Sequence, residues 1–389
     1  MTALPNVAEA IETKIASHLH PTPSWDVADH PVPTGREEVW RFTPLRRLAG
    51  LLSDDGPSGH GLDWSVELPA GVSLEPISLE RARELAAEAP IDRISALAAG
   101  NTDHAVRLDV PAGTEVEGPI VLTGAGQDDA VAEHMVITVG AGAKATIVLR
   151  YTGVATFADK TDLVVGDGAS VTFVTIADWD AGAVHGGHHA VLVGRDARVR
   201  VVTASLGGDV VRLAETARFA GPGGELEQFG VYFVDAGQHI EHRLFVDHNA
   251  PHTRSRVDYR GALQGAGAHS VWVGDVLIRK VAEGINTYET NKNLVLTDGC
   301  RADSVPNLEI ETGEIEGAGH SSTTGRFDDE QLFYLRSRGI GEDEARRLVV
   351  HGFFADIIRR IGVAEVETRL MAAVESELEI IVGHAGAAQ

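Results

Sequence analysis

The sequence predicts a mainly β protein, a right-handed parallel β-helix core set between α-helical ends. Three observations predict it. From about residue 103 the chain becomes short Val, Ile, Leu, Thr and Phe runs broken by glycine, and helical periodicity vanishes. Within this zone a turn recurs as Val110-Pro111-Ala112-Gly113, Val139-Gly140-Ala141-Gly142, Val165-Gly166-Asp167-Gly168 and Val193-Gly194-Arg195-Asp196, at spacings of 29, 26 and 28 residues. Most copies run straight into an alternating strand such as Val171-Thr172-Phe173-Val174. A turn repeated at a near-constant interval, with a strand on each side, lets every coil of a solenoid bend at the same corner. A β-sandwich or cupin-like barrel also repeats its turns, but usually every 8 to 12 residues or so.

Three regions follow from this reading. Residues 1–102 form an N-terminal helical region, with patterns over 7–20 and 78–99. Between them Pro21-Thr22-Pro23 and Pro31-Val32-Pro33 read as an extended linker. Arg81 stands where a capping box would place Glu or Gln, so the second helix has Ser78 as its only cap. The β-helix core occupies 103–318. A C-terminal helical domain, 319–389, begins with Asp328 and Gln331 as a capping box and has Gly339 as the residue just past its first helix. Further helices are expected over 342–361 and 364–381.

Composition excludes several classes of function. The 389 residues carry 57 acidic and 33 basic side chains, a net charge of -24, which repels phosphate backbones. Arg41, Arg46 and Arg47 are too small a basic patch to reverse that, so no nucleic-acid partner is expected. Residues 1–10 have no basic and apolar signal pattern, and no stretch has the apolar length of a membrane span, so a cytoplasmic protein is expected. Cys300 is the single cysteine, which excludes an intrachain disulfide and a Cys-rich metal framework.

Three strings carry a resemblance. They are the run from Gly319-His320-Ser321-Ser322 through Gly325-Arg326-Phe327-Asp328 to Arg338-Gly339-Ile340; Asp247-His248-Asn249-Ala250-Pro251-His252-Thr253 followed by Tyr259-Arg260-Gly261; and Glu38-Val39-Trp40-Arg41-Phe42-Thr43-Pro44-Leu45. Long, correctly ordered and spread over most of the chain, they resemble the SufB/SufD family of iron-sulfur cluster assembly scaffolds in the SUF system. The resemblance implies a β-helix flanked by helices, with no turnover of its own and no cofactor held stably by the isolated chain. It implies a transient iron or Fe-S cluster in a complex with a SufB-like paralogue and a SufC-like ABC ATPase, the ATPase docking on the C-terminal helices. A homodimer is the alternative for the chain in isolation. The absence of amino-terminal cysteines, the shorter chain and Ser321 after His320, where SufB resembles His-Glu, place the sequence on the SufD side. A stand-alone cytoplasmic β-helix enzyme acting on a carbohydrate or small metabolite is the reading from another class. It would need paired carboxylates and aromatic sugar platforms, and the sequence is only 5% aromatic.

The resemblance makes His320 the signature histidine implicated in cluster assembly at the subunit interface, and places Cys300 where SufB has its cluster-assembly cysteine. Imidazole and thiolate both suit iron, with a partner chain completing the ligand set. A strand-end histidine and a small buried apolar cysteine are the plain alternatives. His185, His188 and His189, in a His-Gly-Gly-His-His run, read as a surface loop between coils in preference to a metal site. Asp247, His248 and His252 read as a corner that hydrogen-bonds itself. Gly319 to Gly325 mimics a phosphate loop with one residue too many and no lysine, so ATP chemistry falls to a partner. On the 342–361 helix, Val350, Phe353, Phe354, Ile357 and Ile358 widen the apolar arc beyond one core-facing stripe, which suggests ATPase docking or packing within the helical domain.

Overall fold

A computed structural model describes residues 20–59, 61–326, 329–364 and parts of 367–375. The helix expected over 7–20 and the capping residue Asp328 lie outside the described residues. After the short helix α1 (Ala49–Leu52) come β1 (Asp63–Glu67), β2 (Ser73–Ile77), α2 (Leu79–Leu85) and α3 (Arg93–Asn101). The solenoid then begins with β3 (Ala105–Val110) and two long strands, β4 (Glu115–Val139) and β5 (Lys144–Val165). It continues through β6 (Ser170–Ala177), β7 (Val184–Val193), β8 (Arg198–Ser205), β9 (Val210–Phe219), β10 (Glu225–Val234) and β11 (His239–His248). The last coils are β12 (Arg254–Leu263), β13 (His269–Ile278), β14 (Ile285–Val295), β15 (Arg301–Ile310) and β16 (Ile315–Arg326).

These strands make a parallel β-solenoid of about eight coils. Even-numbered strands stack in parallel from β6 to β16, odd-numbered ones from β7 to β15, and the two stacks join at β5. Both β4 and β5 cross from one stack to the other, turning at Asp128 and Gly153 with positive φ. Alternate residues point inward, and Val171, Phe173, Leu213, Phe219, Val257 and Ile278 belong to one apolar core between the stacks. At the first coils each stack is closed by an antiparallel strand, β1 against β4 and β2 against β3.

The recurring turn is the corner between odd and even strands. Gly113, Gly142, Gly168 and Asp196 all have φ between 54° and 70°, the left-handed region that favours glycine. Each donates its backbone N–H to the next corner: Gly113 to Ala141 at 2.9 Å, Gly142 to Asp167 at 2.9 Å, Gly168 to Arg195 at 2.8 Å and Asp196 to Pro222 at 3.0 Å. The ladder runs on through Gly223, His252 and Gly284, where the sequence pattern no longer shows it. The Asp247–Thr253 stretch is such a corner. His248 is buried between Thr253 Oγ1 at 2.7 Å and Ser255 Oγ at 3.0 Å, and Asp247 pairs with Arg279 at 2.7 Å, the structural reading expected of it.

Two glycines serve a different purpose. A Cβ on Gly230 would lie 1.9 Å from the Tyr259 ring, and one on Gly261 would lie 1.8 Å from the Tyr232 ring. Strands β10 and β12 thus each give up a side chain to seat the other's tyrosine. Gly261→Ala is expected to cost about 1–3 kcal/mol or more, an overpacking penalty readable as a lower urea midpoint. An unchanged midpoint would show that the Tyr232 ring can move aside freely.

The ends differ from the expected regions in three ways. The 78–99 pattern is two helices, because Pro90 interrupts it and Asp92 caps α3 afresh through Ser95. Residues 63–67 and 73–77 are strands, which the Pro76 edge position tolerates. The core does not stop at 318, since β16 carries the signature string to Arg326. Beyond it, α4 (Asp329–Ser337) ends at Gly339, φ 86°, as its position predicted, and α5 (Glu342–Arg359) follows. The expected 364–381 helix begins at residue 364 and is only partly described.

Candidate functional site

The solenoid's last coil is where the resemblance placed the chemistry. β15 pairs with β13 and β16 with β14, and neither pairs with a strand beyond it among the described residues. His320, Ser322 and Thr324 on β16 stand in register with Glu289, Asn291 and Asn293 on β14 and so share their inward face. The Ser322 hydroxyl donates to Ser304 Oγ of β15 at 2.7 Å, which ties the two stacks at this mouth. His320 itself is exposed, because no further coil covers it.

Cys300 lies elsewhere on the same coil. Half-buried at the corner before β15, its thiol donates to the Gly265 carbonyl at 3.3 Å and lies 3.5 Å from the Thr297 hydroxyl. On the facing register fixed by Ser304 and Ser322, Cys300 and His320 fall on opposite sides of that bond, four and two residues away. At the rise of a strand that is about 20 Å. The structure therefore does not bring His320 and Cys300 together, and no single ion could use both from one chain.

Behind His320 the interior holds a file of polar groups that sequence reasoning missed. Nearest the mouth is Glu289, 1% exposed, with neither carboxylate oxygen hydrogen-bonded among the described residues. Burial, with Asp275 adding to it, pushes its carboxyl up to about 8. Deeper, Tyr232 donates to Asn293 at 2.6 Å and accepts from Asn291 at 2.9 Å, and Tyr259 donates to Glu215 at 2.5 Å. The period-two pattern Glu289-x-Asn291-x-Asn293 was the available signal, hidden because inward positions are expected to be apolar.

At the far end of this file lies the histidine run, and here the surface-loop expectation is corrected. His185 and His189 point inward from β7 and hold Asp159 between them at 2.8 and 2.9 Å. His188 is buried on the outer face against Thr216 at 2.9 Å. The glycines supply proximity, not flexibility: a Cβ on Gly187 would fall 1.8 Å from Asp159 Oδ1. Burial alone would raise the Asp159 carboxyl, but His189 and His185 outweigh it and hold it well below the usual range. His185 and His189 each spend Nε2 on Asp159, and His188 spends its own on Thr216.

The proposed docking side chains also need correction. Val350, Phe354, Ile357 and Ile358 are fully buried in one apolar cluster with Phe229, Val231 and Ala262 on the outer face of the even-numbered stack, where α5 lies along β10 and β12. Phe353 is half-buried with them, 5.9 Å from the Arg260 guanidinium, which also donates to the Phe353 carbonyl at 2.9 Å. The wide arc covers this chain's own sheet, and of these five residues Phe353 alone keeps part of its surface. Phe333, Tyr334 and Leu348 are the large apolar side chains left exposed on α4 and α5.

The molecule is thus a β-solenoid protein with one open, polar-lined end and helices packed on its flank. A family model for the SUF system FeS cluster assembly SufBD core domain matches residues 121–353. The chain is 49% identical over 388 residues to an iron-sulfur cluster assembly SufBD family protein of Mycobacterium tuberculosis, covering 98% of each. It is 26% identical over 297 residues to the iron-sulfur cluster assembly protein SufD of Bacillus subtilis, covering 74% of this chain and 67% of that one. Against SufD of Escherichia coli it is 26% identical over 194 residues, 50% of this chain and 45% of that one. The chain belongs to the SufBD family of SUF iron-sulfur cluster assembly proteins. Among the described residues no helix is long and apolar enough to cross a membrane.

Proposed function

We propose that the chain is a non-catalytic, SufD-type subunit of a cytoplasmic SUF complex, pairing with a SufB-like paralogue and served by a SufC-like ATPase. One observation carries this reading: the bare edges of β15 and β16 end the solenoid beside the exposed His320. Two unpaired parallel edges offer backbone groups to another chain's strands. His320 then stands at the seam, where a cluster or iron ion in passage takes its remaining ligands from the partner, since one cysteine cannot hold a cluster. Exposed Phe333, Tyr334 and Leu348 are the apolar surface left for the ATPase to cover.

The test compares His320→Ala, Cys300→Ser and the unmodified chain, each co-expressed with both partners. Unchanged melting temperature and stoichiometry with lost iron and sulfide is expected for His320→Ala. Normal iron and sulfide in that complex would remove His320 from the ligand set. Loss confined to Cys300→Ser would move the chemistry to the sulfur.

A further inference from the structure

On the outer face of the odd-numbered stack two histidines meet that neither the scaffold role nor His320 uses. His239 opens β11 and His269 opens β13, in direct register. Their Nδ1 atoms are 3.1 Å apart, with the rings inclined at 69°. The other nitrogen of each faces a carboxylate, His239 Nε2 toward Glu241 Oε2 at 3.2 Å and His269 Nε2 toward Asp303 Oδ2 at 2.7 Å. Both carboxylates sit among cations, Glu241 between Arg212 at 3.5 Å and Arg243 at 3.4 Å, and Asp303 beside Arg301 at 2.7 Å. Thr43, from the Glu38 to Leu45 string, donates to Glu241 at 2.8 Å.

An ionised carboxylate accepts, so each imidazole must present its N–H there, on Nε2. The two Nδ1 lone pairs then meet across 3.1 Å, a contact relieved by an added proton on one ring or by a cation held beside the line that joins them. We propose that His239 and His269 are the protein half of a binding site for a divalent cation of borderline softness, of the zinc or ferrous iron class. Two imidazole nitrogens at about 2.0–2.1 Å from a tetrahedral ion stand about 3.3 Å apart, close to the spacing present. A carboxylate on the far nitrogen is the usual means of fixing a ligating histidine's tautomer and ring angle. No group of three or more His, Cys, Asp or Glu converges on one point among the described residues, so water fills the other positions. His269, with 20% of its side chain exposed, gives the ion its access. Cys300 packs toward the core from a neighbouring corner and is not a ligand. A bound ion would clamp β11 to β13, while Asp303 extends the grip to β15 and Thr43 to the N-terminal segment.

The experiment uses the full chain, freed of metal by chelation, in equilibrium dialysis against zinc and, anaerobically, ferrous iron. One equivalent per chain and a raised melting temperature are expected. Asp303→Asn keeps both ligands but loses one orienting carboxylate, and should weaken binding by roughly 10–100-fold. His269→Gln should abolish both the binding and the thermal shift. His320→Ala and Cys300→Ser should bind as the unmodified chain does, which separates this site from the cluster-assembly role. Absence of bound metal, or equal binding by His269→Gln and Asp303→Asn, overturns the proposal. So does an Nδ1 proton shared between the rings, seen by NMR, that zinc fails to displace.

Discussion

Phe354→Asp will strip the C-terminal helices from the solenoid. The ring is fully buried among Val350, Ile357 and Ile358 and the apolar outer face of the even-numbered stack, and meets Phe353 edge-on at 5.2 Å. Removing a buried phenylalanine alone costs about 3–5 kcal/mol, and a carboxylate left there without a partner adds several more. The solenoid's own hydrogen bonds are untouched, so the loss should be local. Limited proteolysis should cut the variant between Arg326 and α5 and leave a protected β core. Phe333→Asp is the contrast. At 75% exposure its folded-state cost should stay within about 0.5 kcal/mol, while binding of a SufC-type ATPase falls. If Phe354→Asp resisted protease as the unmodified chain does, the helices would not depend on this contact. If Phe333→Asp bound the ATPase normally, docking would lie elsewhere.

Glu289→Gln should stabilise the protein at alkaline pH. The folded carboxyl is raised from 4.5 to about 8, so the folded state holds a proton that the unfolded chain releases. A raised carboxyl gives full stability below about pH 4.5 and loses it progressively as pH climbs to about 8. At 1.36 kcal/mol per pH unit the loss is on the order of 4 kcal/mol. Glutamine has no proton to lose, so the variant's stability should be flatter over this window and exceed that of the unmodified chain at pH 8. Urea midpoints at pH 5 and pH 8 decide it. Parallel declines in both proteins would mean that Glu289 gains a partner not present among the described residues.

How far the fold was legible follows from where its signals lie. Corner glycines are read easily because the left-handed backbone admits little else, and four copies were enough to imply a solenoid. The pattern fades after Asp196, and His252 takes the same φ unannounced, since a corner can also be set by the ladder of hydrogen bonds around it. Interior chemistry was less visible. His185 and Asp159 are 26 residues apart and meet only because one coil has nearly that length. A His-Gly-Gly-His run looks flexible until the space beside Gly187 is known to hold a carboxylate. Likewise the apolar arc of α5 was visible but not what it covers, because the facing strands are β10 and β12, with Arg260 and Phe353 meeting from 93 positions apart. His320 was found through the signature string; its place on an edge strand beyond 318 was not, since the string reads equally as a loop leading into a helix.

The unlike ends of the solenoid set a limit on how many molecules can join. At the first coils β1 and β2 run antiparallel to the stacks, are short, and carry Pro76, which has no N–H to donate. At the last coil β15 and β16 have no further strand beyond them among the described residues. A rod that is equally adhesive at both ends adds units without limit and becomes a fibre; here the two ends are unequal. Joining two such rods by their last coils would use up the parallel edges of both and leave outward only the short antiparallel strands β1 and β2. Growth through this surface would stop at the pair, whether the second member is a paralogue or another copy of the same chain.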